Sequence, residues 1–477
     1  MKTIAIVGGG IAGLSAAFAL EKHRRKHPES LEYSVYECNP IFGGVLHTEQ
    51  VDGCQIEAGP DSFLTEKPWA AELCRELGLE DQLVGSNDRE RKTYILVNGK
   101  LIEIPDGLMF MVPTKLLPTV LSPLFGMKTK IRMAREWFHP PHRAEADETV
   151  SAFVERHYGS EMVDRLADPL LSGVYGGHAD QLSVRAVLPR FAEMEAKYGS
   201  LGRAMLAARR KMRRLKGTPQ PLFTSLLGGM QLMTDALVAR ISTVSLAPSQ
   251  RVLSVVPQGA GWQITLEQGL RNFDSIVLAV PAHVSAALLH RANPQLANEL
   301  KGIHYTSSIT INLGYPENVR KSLPPGFGYL VPRSQGRNML ACTFVHTKFP
   351  HRVPADRALL RCFMAASNQQ ELLSDTEESI VSVIRHELRE ILGLNAQPLF
   401  SRVYRWEGAM AQYGVGHLER LQKIEQSRKT TPGLFLAGNG YRGIGVPDCI
   451  RSGNEAAALA LNFLGITAAA VRTPQLA

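Results

Sequence analysis

The stretch Thr3-Ile4-Ala5-Ile6-Val7-Gly8-Gly9-Gly10-Ile11-Ala12-Gly13 decides the fold. Its first five residues are apolar or β-branched without alternation, the pattern of a parallel strand buried on both faces. The next six read G-x-G-x-x-G. Gly8 permits a tight turn, Gly10 lets a pyrophosphate approach the main chain, and Gly13 lets the following helix pack closely on the strand. Leu14, Ala16, Ala17 and Leu20 fall on the apolar side of that helix, which frays in the basic run 22–26 before Pro28. Tyr33-Ser34-Val35-Tyr36 predicts a second strand ending at Glu37, a carboxylate able to accept from both hydroxyls of a ribose. With all parts in register, the unit binds a dinucleotide and sets an α/β fold class.

The choice between FAD and NAD is made farther along. Asn39-Pro40-Ile41-Phe42-Gly43-Gly44 follows the acid directly and resembles the GG motif of the amine-oxidase-like FAD superfamily. That superfamily usually places basic residues where Ile41 and Val45 stand here. Phosphate binding must then lean on main-chain amides and the helix dipole. At the other end, Pro432-Gly433-Leu434-Phe435-Leu436-Ala437-Gly438-Asn439 reads as a buried strand closing in a glycine turn. Gly443-Ile444-Gly445-Val446-Pro447 and a helix over 454–464 follow, a second anion-facing helix start. FAD is long enough to need both ends of the chain.

Composition bounds the rest. The 477 residues are 44% hydrophobic and 21% charged, which excludes a wholly disordered or collagen-like chain and suggests two or three domains. The cysteines at 38, 54, 74, 342, 362 and 449 form no C-x-x-C or His/Cys cluster. Neither a metal site nor a disulfide framework is therefore expected, and the thiols suit the cytoplasm. Met1-Lys2-Thr3 runs straight into a strand, so no signal peptide is read. No apolar run reaches the roughly 18 residues of a membrane span. The net charge of +8 suits a polyanionic small molecule or an anionic membrane, and no nucleic-acid motif accompanies it.

Three further stretches carry a family likeness. They are Glu57-Ala58-Gly59-Pro60-Asp61-Ser62-Phe63-Leu64, Pro169-Leu170-Leu171-Ser172-Gly173-Val174-Tyr175-Gly176-Gly177, and Arg405-Trp406-Glu407 with Gln412-Tyr413 and Gly416-His417. With the two glycine turns they resemble the porphyrinogen oxidases of the haem pathway, Gram-positive type, over residues 2–464. The resemblance implies a Rossmann-like FAD domain of p-hydroxybenzoate-hydroxylase style, with a substrate domain and a helical membrane-associating domain inserted. The expected FAD pieces are 1–58, 220–282 and 402–464, and the substrate pieces 59–98, 182–219 and 283–401. The helical domain is 99–181, followed by a tail over 465–477. Strands are read over 263–266 and 275–280, and an antiparallel substrate sheet from 306–313 and 359–364.

The same resemblance assigns flavin contacts to Gly8, Gly10, Gly13 and Glu37, and to Gly59, Pro60, Asp61 and Ser62 beside the isoalloxazine. Val252 falls on the adenine side, Trp406 near the ring, and Ile444, Gly445 and Val446 at the C-terminal turn. It implies oxidation of coproporphyrinogen III in this branch and protoporphyrinogen IX in others. A porphyrinogen loses six electrons to become aromatic; flavin can accept a hydride at N5 and return electrons to molecular oxygen, releasing three H₂O₂ in three rounds. No Ser/His/Asp or Cys/His constellation is needed, and no side chain is assigned a catalytic role. Coproporphyrinogen carries four carboxylates, so the pocket should hold cations; the resemblance puts Lys67 at the cavity mouth, and Val174, Tyr175 and Phe363 are candidate walls against the macrocycle. Thr93 stands where many protoporphyrinogen-type relatives carry arginine. The product would pass to a downstream chelatase.

Two stretches suggest contact with an anionic membrane at the inner face of the cell membrane. Residues 116–127 are apolar and precede Lys128, Lys130, Arg132 and Arg135; Arg203, Arg209, Arg210, Lys211, Arg213, Arg214 and Lys216 crowd a second segment. Two other classes stay open on residues alone. One is a flavin oxidase or desaturase for amines or carotenoids, with Tyr413 and Tyr441 as cage candidates. The other is a tetrapyrrole carrier without catalysis.

Overall fold

The computed structural model describes residues 1–109, 111–214, 220–365 and 374–466. Lys216 and residues 467–477 of the expected tail lie outside them. A five-stranded parallel sheet forms the centre of the dinucleotide unit. Its order is Leu246–Ala247, Leu31–Tyr36, Lys2–Val7, Ser275–Leu278 and Leu434–Leu436. Ile4 stands opposite Tyr33 on one side and Ser275 on the other. Ile4 and Ile6 are fully buried, as the run of apolar residues requires. Helices Ile11–Lys26 and Val446–Phe463 cover one face, and the meander Val252–Gln258, Gly261–Leu266, Gly269–Phe273 packs on the other through Val255, Trp262 and Ile264.

The C-terminal helix begins at Val446, not at 454 as the sequence reading had it. Pro447 sits in the first turn, where a missing amide costs nothing. Gly453 sits mid-helix because a Cβ there would lie 2.1 Å from the carbonyl oxygen of Ala12 on the first helix. A glycine that reads as a turn is in fact the point where the two helices touch.

A seven-stranded sheet lies beside this unit, in the order Phe400–Ala411, Tyr305–Pro316, Arg357–Ala365, Met339–Phe344, Gly328–Leu330, Thr93–Val97 and Lys100–Glu103. The expected strands over 306–313 and 359–364 are its centre and pair antiparallel, Ile311 opposite Cys362. Leu360, Cys362 and Met364 point to the helix Glu377–Leu392, against Ile380, Ile384 and Leu388. Arg361 and Phe363 therefore face the other way, toward the dinucleotide unit. The sheet draws its edge strand from residues beyond 401, so Phe400–Ala411 runs across the expected 401/402 boundary. A third core, from Leu124, Phe125, Met133, Phe153, Tyr158 and Leu201, packs the helices Met127–Glu136, Val150–Tyr158 and Leu201–Arg214 together. Among the described residues no helix is long and apolar enough to cross a membrane.

Candidate functional site

The N-terminal turn is built by exclusion of side chains. Gly8 has φ +107°, and a Cβ on Gly13 would stand 1.9 Å from the Gly8 carbonyl oxygen. Gly10 differs: a Cβ there meets nothing within 4 Å, so its missing side chain leaves open space in front of the helix Ile11–Lys26. That cradle at a helix N-terminus fits a pyrophosphate. Glu37 is buried at the end of its strand. Its carboxylate accepts from the Gly9 amide at 2.8 Å and from the amide and side chain of Asn39 at 2.8 and 2.9 Å. The Cys38 thiol is a third donor on Oε1 at 3.4 Å, whereas Oε2 accepts from Gly9 alone and keeps a lone pair for a ribose. Gln250 N donates to the Glu37 carbonyl at 2.8 Å, which sets Val252, two residues on, beside this end. Ile41 and Val45 are exposed beside Gly43 and Gly44, with no cation at either position.

The C-terminal turn is braced from below. Gly438 has φ +120° and also opens onto free space. Tyr413 donates to the Asn439 carbonyl at 2.6 Å and accepts from the Gly443 amide at 2.9 Å. Its ring stacks on His417 at 4.1 Å. Tyr413 thus anchors the turn through its hydroxyl, and His417, bonded to the Tyr441 carbonyl at 2.9 Å, is a structural histidine. Gly445 caps the helix Val446–Phe463, and Asp448 accepts from its amide at 3.3 Å.

Residues 57–67 pass between this helix start and the seven-stranded sheet. Trp406 donates from its indole to the Ala58 carbonyl at 2.9 Å. On the other flank Lys67 meets Asp448 at 2.6 Å. Lys67, expected at the cavity mouth, is paired with the buried carboxylate of the C-terminal helix. Val174 is exposed, whereas Tyr175 stands edge-on to Tyr413 with ring centroids 6.2 Å apart. Phe363 lies under the Arg361 guanidinium at 4.8 Å. Each pocket candidate except Val174 is thus tied to an element that borders a glycine turn or the 57–67 segment.

Sequence reasoning missed a charged cluster at this junction. Lys348 donates to Asp61 at 2.9 Å, and Arg361 stands 3.6 Å from the same carboxylate and donates to the Gly59 carbonyl. Arg352 donates to the Asp61 carbonyl at 2.9 Å and pairs with Glu57 at 3.2 Å. Burial alone would raise the Asp61 carboxyl; Lys348, Arg361 and Arg352 outweigh it and hold it well below the usual range. Burial pushes Lys348 and Arg361 down, and the crowding of like charges adds to this. Burial likewise pushes Glu57 up against the pull of Arg352. One signal was available: Arg361 interrupts the run Leu359-Leu360-Arg361-Cys362-Phe363-Met364, a charge in a strand otherwise apolar on both faces.

Comparison with known proteins agrees with this geometry. The family described as flavin-containing amine oxidoreductase matches residues 11–461. The chain is 32% identical to a coproporphyrinogen III oxidase of Bacillus subtilis (strain 168), covering 97% of this chain and 98% of that one. It is 31% identical to a chloroplastic protoporphyrinogen oxidase 1 of Arabidopsis thaliana, over 96% and 88%. A crystal structure from Exiguobacterium sp. 255-15 superposes with a TM-score of 0.85 at 28% identity, over 97% and 99%. Two glycine turns, each at the start of one of two touching helices, together with a family match along nearly the whole chain, place the protein: it belongs to the flavin-containing amine oxidoreductase family.

Proposed function

We propose that the protein is an FAD-dependent oxidase of haem biosynthesis that converts a porphyrinogen to the porphyrin, with coproporphyrinogen III as its preferred substrate. The observation that carries this reading is the end-to-end similarity to a coproporphyrinogen III oxidase, 97% of one chain on 98% of the other. Thr93 in place of arginine and the net charge of +8 favour coproporphyrinogen over protoporphyrinogen.

Bound FAD supplies a two-electron acceptor. The chain's residues supply its place. Gly8, Gly10 and Gly13 bring helix amides to the pyrophosphate, and Glu37 holds the ribose with Val252 on the adenine side. Gly59, Pro60, Asp61 and Ser62 run beside the ring with Trp406. Ile444, Gly445 and Val446 turn a second helix N-terminus on it. Val174, Tyr175 and Phe363 hold the macrocycle and exclude water. Lys67 exchanges Asp448 for a substrate carboxylate. Over three rounds, six electrons and six protons leave the porphyrinogen, and three O₂ become three H₂O₂. We also propose that the substrate domain extends past 401 to include the strand Phe400–Ala411.

Peripheral contact with an anionic membrane belongs to the same proposal. Leu117, Leu121, Met127 and Phe138 are 69, 73, 68 and 81% exposed, beside Lys128, Arg132 and Arg135 on the helix Met127–Glu136. Each such cation adds about 1 kcal/mol near anionic lipid. The second basic segment contributes less than its composition suggests. It forms the helix Leu201–Arg214, and Arg203 is spent on the carbonyls of His139 and Tyr198.

Side-by-side oxygen-electrode rates on coproporphyrinogen III and protoporphyrinogen IX test the substrate. A faster rate on coproporphyrinogen is expected, and a clear preference for protoporphyrinogen overturns the choice. Acid denaturation should release free FAD into the supernatant; flavin retained in the pellet contradicts non-covalent binding.

A further inference from the structure

The cluster beneath residues 57–62 is not neutral. Lys348, Arg352 and Arg361 bring three positive charges against the two carboxylates of Asp61 and Glu57. Arg352 and Arg361 are 2% and 4% exposed, and Lys348 keeps 13% of its side chain exposed. The Arg361 Nε is buried with no hydrogen-bond partner among the described residues. A purely structural network would be expected to satisfy its donors and balance its charge, because an uncompensated buried charge is expensive. This one does neither. Its contacts run to the Gly59 carbonyl, to the carbonyl and carboxylate of Asp61, and to the hydroxyls of Ser62 and Ser225.

We propose that Lys348, Arg352 and Arg361 form an electrostatic positioning cluster that fixes residues 57–62 and, through its surplus positive charge, raises the electron affinity of the flavin bound beside them. The inference rests on the FAD-dependent reading above. Its physical basis is that two electrons added to a flavin bring at most two protons, so a nearby fixed cation favours the reduced, more anionic state. The effect is strong because the cluster is screened from water. Lys348 is the informative member. Removing it leaves Asp61 paired with Arg361 at 3.6 Å, so the carboxylate is not orphaned.

The test uses FAD-loaded protein and reads the flavin itself, by its midpoint potential and by sulfite affinity followed as loss of the visible flavin band. Lys348→Met is expected to lower both. The loss should be on the order of tenfold for one unit charge across a few ångströms of interior, about 30 mV for a two-electron couple. Lys348→Arg should restore the wild-type values. Asp61→Asn, which adds to the surplus, should shift them the opposite way. Flavin properties that stay fixed in Lys348→Met, or that move in the same direction in Lys348→Met and Asp61→Asn, overturn the proposal. So does a Lys348→Met variant in which only the KM for porphyrinogen changes, which would make the lysine a substrate contact. Wild-type protein that binds no flavin would instead overturn the FAD reading.

Discussion

Replacing Gly453 by alanine sets one methyl group against the main chain of another helix. The Cβ would stand 2.1 Å from the Ala12 carbonyl oxygen and 3.0 Å from its carbon. Both are backbone atoms, so relief requires the helices Ile11–Lys26 and Val446–Phe463 to part by roughly 1 Å in an interior packed like a crystal. Two terms oppose one another. Alanine for a mid-helix glycine stabilises by about 1 kcal/mol. Overpacking costs about 1–3 kcal/mol, occasionally more. The steric term wins, and the net loss is up to about 2 kcal/mol. Because the start of each helix carries one glycine turn, FAD affinity should fall with stability. Gly173 is the control. It lies in the helix Asp168–Tyr175, and a Cβ there meets nothing within 4 Å. Gly173→Ala should therefore stabilise, by about 0.5–1 kcal/mol. Chemical denaturation of the FAD-saturated proteins, followed by fluorescence and flavin release, compares the two. A Gly453→Ala midpoint at or above wild type would refute the close helix contact.

Glu37→Gln places an amide donor opposite the Gly9 and Asn39 donors that now bond the carboxylate. Losing charge-assisted bonds of about 1.5–3 kcal/mol should raise the FAD dissociation constant at least about tenfold, read by fluorescence titration. His346 is buried, and burial, aided by Arg320, lowers its pKa to about 4. A depressed histidine is neutral when folded and takes up its proton on unfolding. Its contribution is therefore intact above its unfolded pKa near 6.5 and is lost as pH falls toward 4, by about 3 kcal/mol. His346→Gln should flatten the stability profile over that window in urea titrations. Lys67→Met should raise the KM for coproporphyrinogen III several-fold and leave the flavin spectrum unchanged, as steady-state assays and an absorbance scan will show. Leu117→Asp with Leu121→Asp should abolish salt-resistant pelleting with anionic vesicles while low-salt, electrostatic binding persists.

The N-terminal turn was legible because its glycines answer to strictly local sterics. Gly8 holds φ +107°, a Cβ on Gly13 would meet the Gly8 carbonyl oxygen, and Glu37 closes the adjoining strand. The start of the C-terminal helix was not legible for the opposite reason. Pro447 and Gly453 punctuate the sequence like a turn, and only the distant Ala12 explains why a glycine belongs inside that helix. The strands over 306–313 and 359–364 could be read from the alternation of the first and the apolar run of the second, but the pairing of the first with Phe400–Ala411 could not. That strand runs across the expected 401/402 boundary. The charged cluster was hidden because Asp61 lies far along the chain from Lys348 and Arg361, and the one local signal, Arg361 inside an apolar strand, does not name its partners. Lys67 was noticed, yet its partner Asp448 could only come from the packing of the C-terminal helix against residues 62–67.

The central claim is that electrons pass from a porphyrinogen to FAD held between the two glycine turns. It is tested most directly by mixing the purified yellow protein with coproporphyrinogen III in the absence of oxygen and following the flavin absorbance. The flavin band should bleach within a turnover and return, with porphyrin absorbance growing, when air is admitted. A band unchanged by coproporphyrinogen and protoporphyrinogen, yet bleached by a simple amine, would contradict it.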